Sequence, residues 1–289
     1  MAMPDGIQAI DLMLAIPTDD NSKWYEFLKP LLLDEESRRQ FKFPVQYVFK
    51  DVPSSPECSD YLAWTLAEMD RFGIERAMIG VSAASTEHLR AIREHGDRFF
   101  GSYQVNPNLG MEGVRDLERA VKDWGVKAAT AFPAGLCPQV PINDKKFYPL
   151  YAKCVELDIP ICICAGVPGP RVPMAVQDVA LLDEVCWFFP ELKVVTRHGC
   201  EPWTELIVKL MLKWPNLYYS TSAMAPRHYP EPIIRYANTR GSDKIMYAGY
   251  FPMGLSLERI FTELANVPFR DHVWPKFLRD NAARVFKLA

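Results

Sequence analysis

"FFPELKVVTR", residues 188–197, reads as the end of one helix and the strand that follows it. Pro190 cannot continue a helix, and the β-branched run after Leu192 suits a buried strand. The same order of helix, stop signal and apolar run recurs in "RFGIERAMIG" (71–80), "DWGVKAATAF" (123–132) and "KWPNLYYSTS" (213–222), with Gly or Pro at each stop. Worked outward from these, the chain yields eight short apolar runs: 7–16, 74–81, 99–105, 126–131, 160–165, 193–197, 217–221 and 244–248. Amphipathic helical patterns lie between them, among them 61–72, 111–124, 145–157, 176–189 and 201–214. Near-continuously apolar strands belong to parallel sheets covered on both faces. Eight such units predict an α/β fold, a (β/α)8 TIM-type barrel, as one domain over residues 1–289. A doubly wound open sheet is the rival. It is weakened because no G-x-G-x-x-G follows the first run and no P-loop is present.

Two segments fall outside the repeat. Residues 24–56, "WYEFLKPLLLDEESRRQFKFPVQYVFKDVPSSP", form a long proline-punctuated insertion after the first strand. A connection at that point lies over the C-terminal mouth of a barrel, and long loops in compact domains are usually lids or binding loops. The segment "AGVPGPRVP" (165–173) follows the fifth strand. Its prolines stiffen it, and its glycines let backbone approach a ligand.

Composition narrows the function classes. The 289 residues are 49% hydrophobic and 24% charged, enough for a sizeable core without disulfides or metal. A net charge of −3 favours neither nucleic acid nor an acidic membrane surface as partner. No apolar stretch of spanning length or secretory pattern opens the chain, so a cytoplasmic protein is expected. Seven cysteines, an odd count, several of them in apolar patterns, read as reduced thiols. Cys162 and Cys164 share one strand face but have no zinc-finger context.

Barrel enzymes place chemistry at the C-terminal ends of their strands. That rule selects Asp11, Met13 and Ala15 on strand one, Lys127 on strand four, and Cys164 with Arg171 at strand five. Strand six contributes Arg197, His198, Glu201 and Trp203; strand seven is followed by Arg227, His228 and Tyr229; strand eight ends at Tyr250 and Phe251. "TRHGCEPW" is the densest cluster. A histidine leaving a strand beside an arginine and a glutamate is a candidate general base or metal ligand. Arg227 is a candidate clamp for a carboxylate or phosphate. His88, His95 and His272 have no partner at ligand spacing and read as structural or surface residues.

"AIDLM", "TLAEMDRFGIERAMIG", "GVKAATAFP", "FYPLYAKCVELDIPICICAG", "FFPELKVVTRHGCEPW", "WPNLYYSTSAMAPRHYP" and "YANTRGSDKIMYAGYFPMG" together span nearly the whole chain. They resemble the amidohydrolase superfamily, in its amidohydrolase-related branch that includes aminocarboxymuconate-semialdehyde decarboxylase. The resemblance implies a metal site with five ligand places. Two form the His-x-His of strand one, where this chain has Met13 and Ala15; a third ends strand five, at Cys164; the fourth is kept as His198; the last is an Asp after strand eight, where Tyr250 stands. One ligand of five remains, so no metal is expected at the family site, with zinc at a non-standard site as the alternative. "GVPGPRVP" and "MAPRHYP" resemble a subgroup assigned to hydrolytic cleavage of aromatic β-ketoacyl-CoA thioesters.

Together these imply a metal-independent hydrolase or lyase cleaving a carbon–carbon bond in a small aromatic or β-keto acid derivative, such as a CoA thioester. His198 is the expected general base, oriented by Glu201, with Tyr250 donating to an oxyanion. Arg197, Trp203, Arg227, His228, Arg171, Cys164 and Met13 are the expected substrate contacts. The alternatives are a decarboxylase of a small aromatic acid and a non-catalytic barrel that binds a small ligand. The resemblance also implies a homodimer.

Overall fold

The computed structural model describes residues 3, 4, 6, 8–39, 43–45, 47–49 and 51–288. Eight parallel strands follow one another in chain order around one sheet: β1 (Ala9–Asp11), β2 (Ile74–Gly80), β3 (Phe99–Gln104), β4 (Ala128–Ala131), β5 (Ile161–Cys164), β6 (Val194–Arg197), β7 (Leu217–Ser220) and β8 (Ile245–Met246). Helices alternate with them: α1 (Glu35–Arg39), α2 (Tyr61–Arg71), α3 (Thr86–Glu94), α4 (Met111–Trp124), α5 (Tyr148–Glu156), α6 (Leu181–Phe188), α7 (Thr204–Lys213), α8 (Glu231–Ala237), α9 (Leu257–Leu264) and α10 (Asn281–Val285). This is a TIM-type barrel, as the repeat predicts. No helix among the described residues is long and apolar enough to cross a membrane.

Alternation along each strand sorts side chains into two cores. Ile10, Leu12, Met78, Phe100, Ala128, Cys162, Val195, Met246 and Ala248 fill the barrel interior, and Val285 and Phe286 close its N-terminal end. Their neighbours in sequence, such as Ala9, Ile79, Ile161, Ile163, Val194 and Tyr219, pack outward against the helices. Positions two further along the interior rows, Cys164 and Arg197, therefore end at the mouth, paired in register.

The barrel closes between β8 and β1 through few backbone contacts. Leu14 bridges Phe251, and the Ala15 N–H donates to the Phe251 carbonyl at 3.0 Å. The fully buried Asp11 carboxylate joins the seam, with Oδ1 accepting the N–H of Met13 and of Gly249, each at 2.8 Å. This side chain explains why the first strand is shorter than the 7–16 run: the bond to Met13 bends the backbone where a ladder would continue. Ile7, the first residue of that run, lies outside the described residues. Three helices also start later than their patterns suggest, α5 at Tyr148 rather than residue 145 among them. α6 waits until Leu181 because Asp178 turns the chain, accepting from the Ala180 N–H at 2.8 Å. α7 waits until Thr204 because left-handed backbone occupies residues 198–200.

The insertion of residues 24–56 covers the mouth. It carries a 3-10 helix, Asn21–Leu31, and then α1. Within it, Gln40, Phe41, Lys42, Gln46 and Lys50 lie outside the described residues. The Phe27 ring meets Phe132 beyond β4 at 6.3 Å, Tyr47 donates to the Gly169 carbonyl beyond β5, and Phe49 meets Tyr250 beyond β8 at 5.3 Å.

Candidate active site

The mouth is organised by the turn that ends β6. His198, Gly199 and Cys200 all adopt positive φ, at 64°, 88° and 57°. Glycine tolerates this conformation; a non-glycine residue in it costs on the order of 1–3 kcal/mol and persists only where its surroundings impose it. Here the surroundings are specific. The His198 N–H donates to Ser222 Oγ at 3.1 Å, the buried Tyr219 hydroxyl donates to the Gly199 carbonyl at 3.2 Å, and the Val167 N–H donates to the Glu201 carbonyl at 2.8 Å. A Cβ on Gly166 would come within 2.8 Å of Cys200 backbone, so only glycine lets the loop after β5 press against this turn.

His198 is thereby held at the rim of the barrel interior. Its Nδ1 lies 3.2 Å from Ser222 Oγ, and its ring meets the Tyr250 ring edge-on at 6.0 Å. Burial, and then the Arg197 charge beside it, push its pKa down to about 3, so the imidazole is neutral at neutral pH. Tyr250 is buried, which raises its pKa and keeps it a phenol. Its ring is walled by Phe43 and Phe49 of the lid, at 6.3 and 5.3 Å. Phe43 in turn meets Tyr25 at 5.5 Å, and the buried Tyr25 hydroxyl has no hydrogen-bond partner. Beyond this aromatic wall lies a cleft of about 670 Å³, lined by Asp19, Asp20, Trp24, Tyr25, Phe43 and Met253 among others.

Arg197 crosses the mouth from β6 and donates to Met13 Sδ near β1. Its Nε is buried without a hydrogen-bond partner. Cys164 stands beside it, its thiol pushed up to about 11 by burial, with Arg197 opposing the shift.

Five expected site residues thus come together: Arg197, His198, Tyr250, Cys164 and Met13. The other five do not join them. Glu201 is exposed, and among the described residues no hydrogen bond links its carboxylate to His198; Ser222 holds that ring instead. Trp203 sits at the start of α7, packed against the outer core. Arg171 is drawn to the lid, donating to Asp34 and Glu36 at 3.0 and 2.7 Å. Arg227 is exposed, 3.8 Å from Glu263 of α9, and its Nε donates to the equally exposed His228. In each case a partner distant in sequence claims the side chain or its own segment turns outward. Ser222, Tyr25, Phe43 and Phe49 were not among the expected site residues. Ser222, two residues beyond β7, satisfies the strand-end rule; the three lid aromatics have no periodic signal to mark them.

The donor set does not fit a divalent metal. Of the family places, Ala15 has no donor, Met13 has a thioether, and Cys164 and Tyr250 offer only a buried thiol and a buried phenol. Among the described residues no group of three or more His, Cys, Asp or Glu side chains is placed to hold an ion. The Arg197 guanidinium adds a fixed positive charge at the same spot.

A family model described as Amidohydrolase matches residues 33–288, and the chain belongs to that family. No curated protein matches it. Among solved structures, an uncharacterised TIM-barrel protein from Bordetella bronchiseptica is similar at TM-score 0.75 and 21% identity, over 97% of this chain and 98% of the other. So is 5-carboxyvanillate decarboxylase from Novosphingobium aromaticivorans, complexed with manganese and 4-hydroxy-3-methoxy-5-nitrobenzoic acid, at 0.70 and 17%, covering 98% and 97%. A 2,6-dihydroxybenzoate decarboxylase from Rhizobium is similar at 0.65 and 16%, covering 99% of both chains.

Proposed function

We propose that this amidohydrolase-family barrel is a lyase that removes the carboxyl group of a small aromatic or β-keto acid, without a metal ion. One observation carries the reading: an arginine with no carboxylate partner, a histidine held neutral and a buried phenol meet against an aromatic wall. The family supports a carbon–carbon-cleaving enzyme, and two similar barrels are decarboxylases of aromatic acids.

The chemistry asks for what these groups provide. When the bond to the carboxyl carbon breaks, CO2 leaves and the electron pair stays on the substrate carbon. A β-keto oxygen takes that charge as an enolate; in a hydroxybenzoate the ring carbon must first take a proton, and CO2 loss then restores the aromatic ring and leaves the charge on the phenolic oxygen. Tyr250 donates a hydrogen bond to that oxygen as the charge develops. In either order the carbon gains a proton. The His198 tautomer that donates Nδ1–H to Ser222 leaves the Nε2 lone pair to accept a proton from the substrate's phenol or carboxylic acid, or from water, and pass it to that carbon.

The neutral imidazole also favours a second reading. It can activate water to add to a β-carbonyl, expelling a stabilised carbanion. In its CoA thioester form that substrate finds little help for its phosphates: Arg171 and Arg227 are engaged with acids, and Asp19 and Asp20 line the adjacent cleft. The test is CO2 release and product chromatography over hydroxybenzoates, β-keto acids and β-ketoacyl-CoA thioesters, with and without chelator. Chelator-insensitive CO2 release is expected. Thioester cleavage without decarboxylation moves the assignment to the second reading, and activity abolished by chelator removes metal independence. Binding without turnover of any member makes the barrel non-catalytic.

A further inference from the structure

We propose that the Arg197 guanidinium is the resident cation of this mouth, standing where the resemblance places a metal, and that it binds a planar oxyanion there. The inference rests on the preceding reading for its substrate, an acid carrying a conjugated oxygen, but not for its geometry.

Arg197 lies two residues beyond Val195, which faces the barrel interior, so it shares that face at the C-terminal rim. It reaches across to Met13, which stands at the first place of the strand-one ligand pair, and it is in register with Cys164, at the strand-five place. The guanidinium therefore spans the positions from which a metal would be held. Its own bonding is incomplete. Five N–H donors are available to an arginine, and a thioether sulfur is a weak acceptor. Nε is buried and unpaired, and Arg197 forms no ion pair among the described residues. Asp11, the buried acid nearby in sequence to Met13, spends its Oδ1 on the seam N–H groups instead. A half-buried guanidinium left with one thioether and a buried, unpaired Nε is costly unless something else completes it. The fork geometry matches two oxygens in one plane: a carboxylate, or a carboxylate oxygen with an ortho hydroxyl. The ring of such an acid would lie against Tyr250, Phe43 and Phe49.

The same charge repels a divalent cation, so anion binding and metal exclusion have one cause. In carboxyl removal it also serves where a metal otherwise would. The electrons left behind by CO2 end as charge on the conjugated oxygen, in a hydroxybenzoate after the ring carbon has taken its proton and in a β-keto acid before, and the guanidinium holds that oxygen.

The experiment is titration calorimetry of the full chain with 2-hydroxybenzoate, benzoate and phenol, alongside equilibrium dialysis against MnCl2 and ZnCl2. Wild type is expected to bind 2-hydroxybenzoate more tightly than benzoate, and phenol about tenfold or more weakly. Arg197→Met should weaken 2-hydroxybenzoate by about 10–100-fold, the worth of a charged hydrogen-bonding group. Arg197→Lys, which keeps charge without the fork, should fall between and covers the case in which the Met variant does not fold. Unchanged 2-hydroxybenzoate affinity in a folded Arg197→Met or Arg197→Lys protein overturns the proposal, as does stoichiometric manganese or zinc on wild type lost in His198→Asn. Arg197-dependent binding with no acid decarboxylated supports the anion site while removing the lyase reading.

Discussion

At the N-terminal end of the barrel, Arg98 donates to Asp70 at 2.6 Å and to the carbonyls of Glu75 and Ile74, and Arg279 donates to Glu75 at 3.0 Å. At the opposite end, Arg197 has a thioether and an empty Nε. The two regions use the same residue type, and a cleft of about 460 Å³ lies beside Arg98 and Arg279. They differ in whether the fold itself completes the charge. Where it does, the arginine ties strands to the helices below them. Where it does not, the fold bears a charge whose partner must come from outside. In barrel enzymes the N-terminal face serves stability and the C-terminal face serves chemistry, and here the division can be read from hydrogen bonds alone.

The sharpest way to break this comparison is to remove the chemistry of the mouth. His198→Asn should lower turnover of an accepted acid by about 10²–10⁴-fold, the usual worth of a proton-transfer group, with the far-ultraviolet spectrum unchanged. Tyr250→Phe should cost at most about 10²–10³-fold, as for one oxyanion donor. Wild-type turnover by a folded His198→Asn protein would make the histidine a prop for the turn and nothing more.

Stability should separate the two arginines in the opposite sense. Arg98→Met strands two backbone carbonyls and Asp70, and should destabilise the protein by about 1–3 kcal/mol while leaving ligand affinity unchanged. Arg197→Met removes an incompletely bonded charge and puts an apolar chain beside Met13. It should leave the thermal midpoint level or raised, with activity lost. Equal losses of stability in urea titrations of the two variants would mean that Arg197 is completed by the fold after all.

A smaller test concerns what orients His198. Ser222→Ala deletes the hydroxyl at Nδ1 and should lower kcat by about fivefold to tenfold, roughly one hydrogen bond, whereas Glu201→Gln should change little. A reversed order in steady-state kinetics would restore Glu201 to the role that its sequence neighbourhood suggests.

That last contrast shows what was legible in the chain and what was not. The strands could be read because a parallel barrel demands short apolar runs at regular spacing, and β2, β3 and β6 fall within a residue or two of their patterns. The strand-end rule singles out Arg197, His198 and Tyr250, and the structure brings these side chains together at the mouth. Glu201 is close to His198 in sequence, yet its side chain is exposed and Ser222 is the group at His198 Nδ1. Arg171 and Arg227 looked available because their partners, Asp34 and Glu263, are far along the chain. The short β1 depends on a carboxylate replacing a ladder bond, which no periodicity encodes.

The smallest expected effect compares two histidines rather than two arginines. His88 uses both ring nitrogens on backbone: Nδ1 donates to the Gly80 carbonyl at 2.6 Å, and Nε2 accepts the Ile16 N–H at 3.2 Å. Burial lowers its pKa, and burial with the Arg197 charge lowers that of His198 to about 3. Both are depressed relative to an unfolded histidine near about 6.5. The sign follows from proton counting. Above about pH 6.5 both states are neutral and neither histidine affects stability differently with pH. Below it the unfolded chain binds protons that the folded one refuses, so stability is lost as the pH falls from about 6.5 toward the folded values. Between about pH 6.5 and 5.5 most carboxylates are still ionised, and the histidines dominate the slope. Urea titrations across that window should show wild type losing stability, and His198→Asn losing less of it by up to one proton's share. His88 contributes with the same sign, and Asp11, whose carboxyl pKa is raised by burial, with the opposite one. An unchanged slope in His198→Asn would mean that His198 already takes a proton in the folded protein. The Arg197 charge would then be neutralised by something at the mouth, and the contrast between the two ends of the barrel would fail.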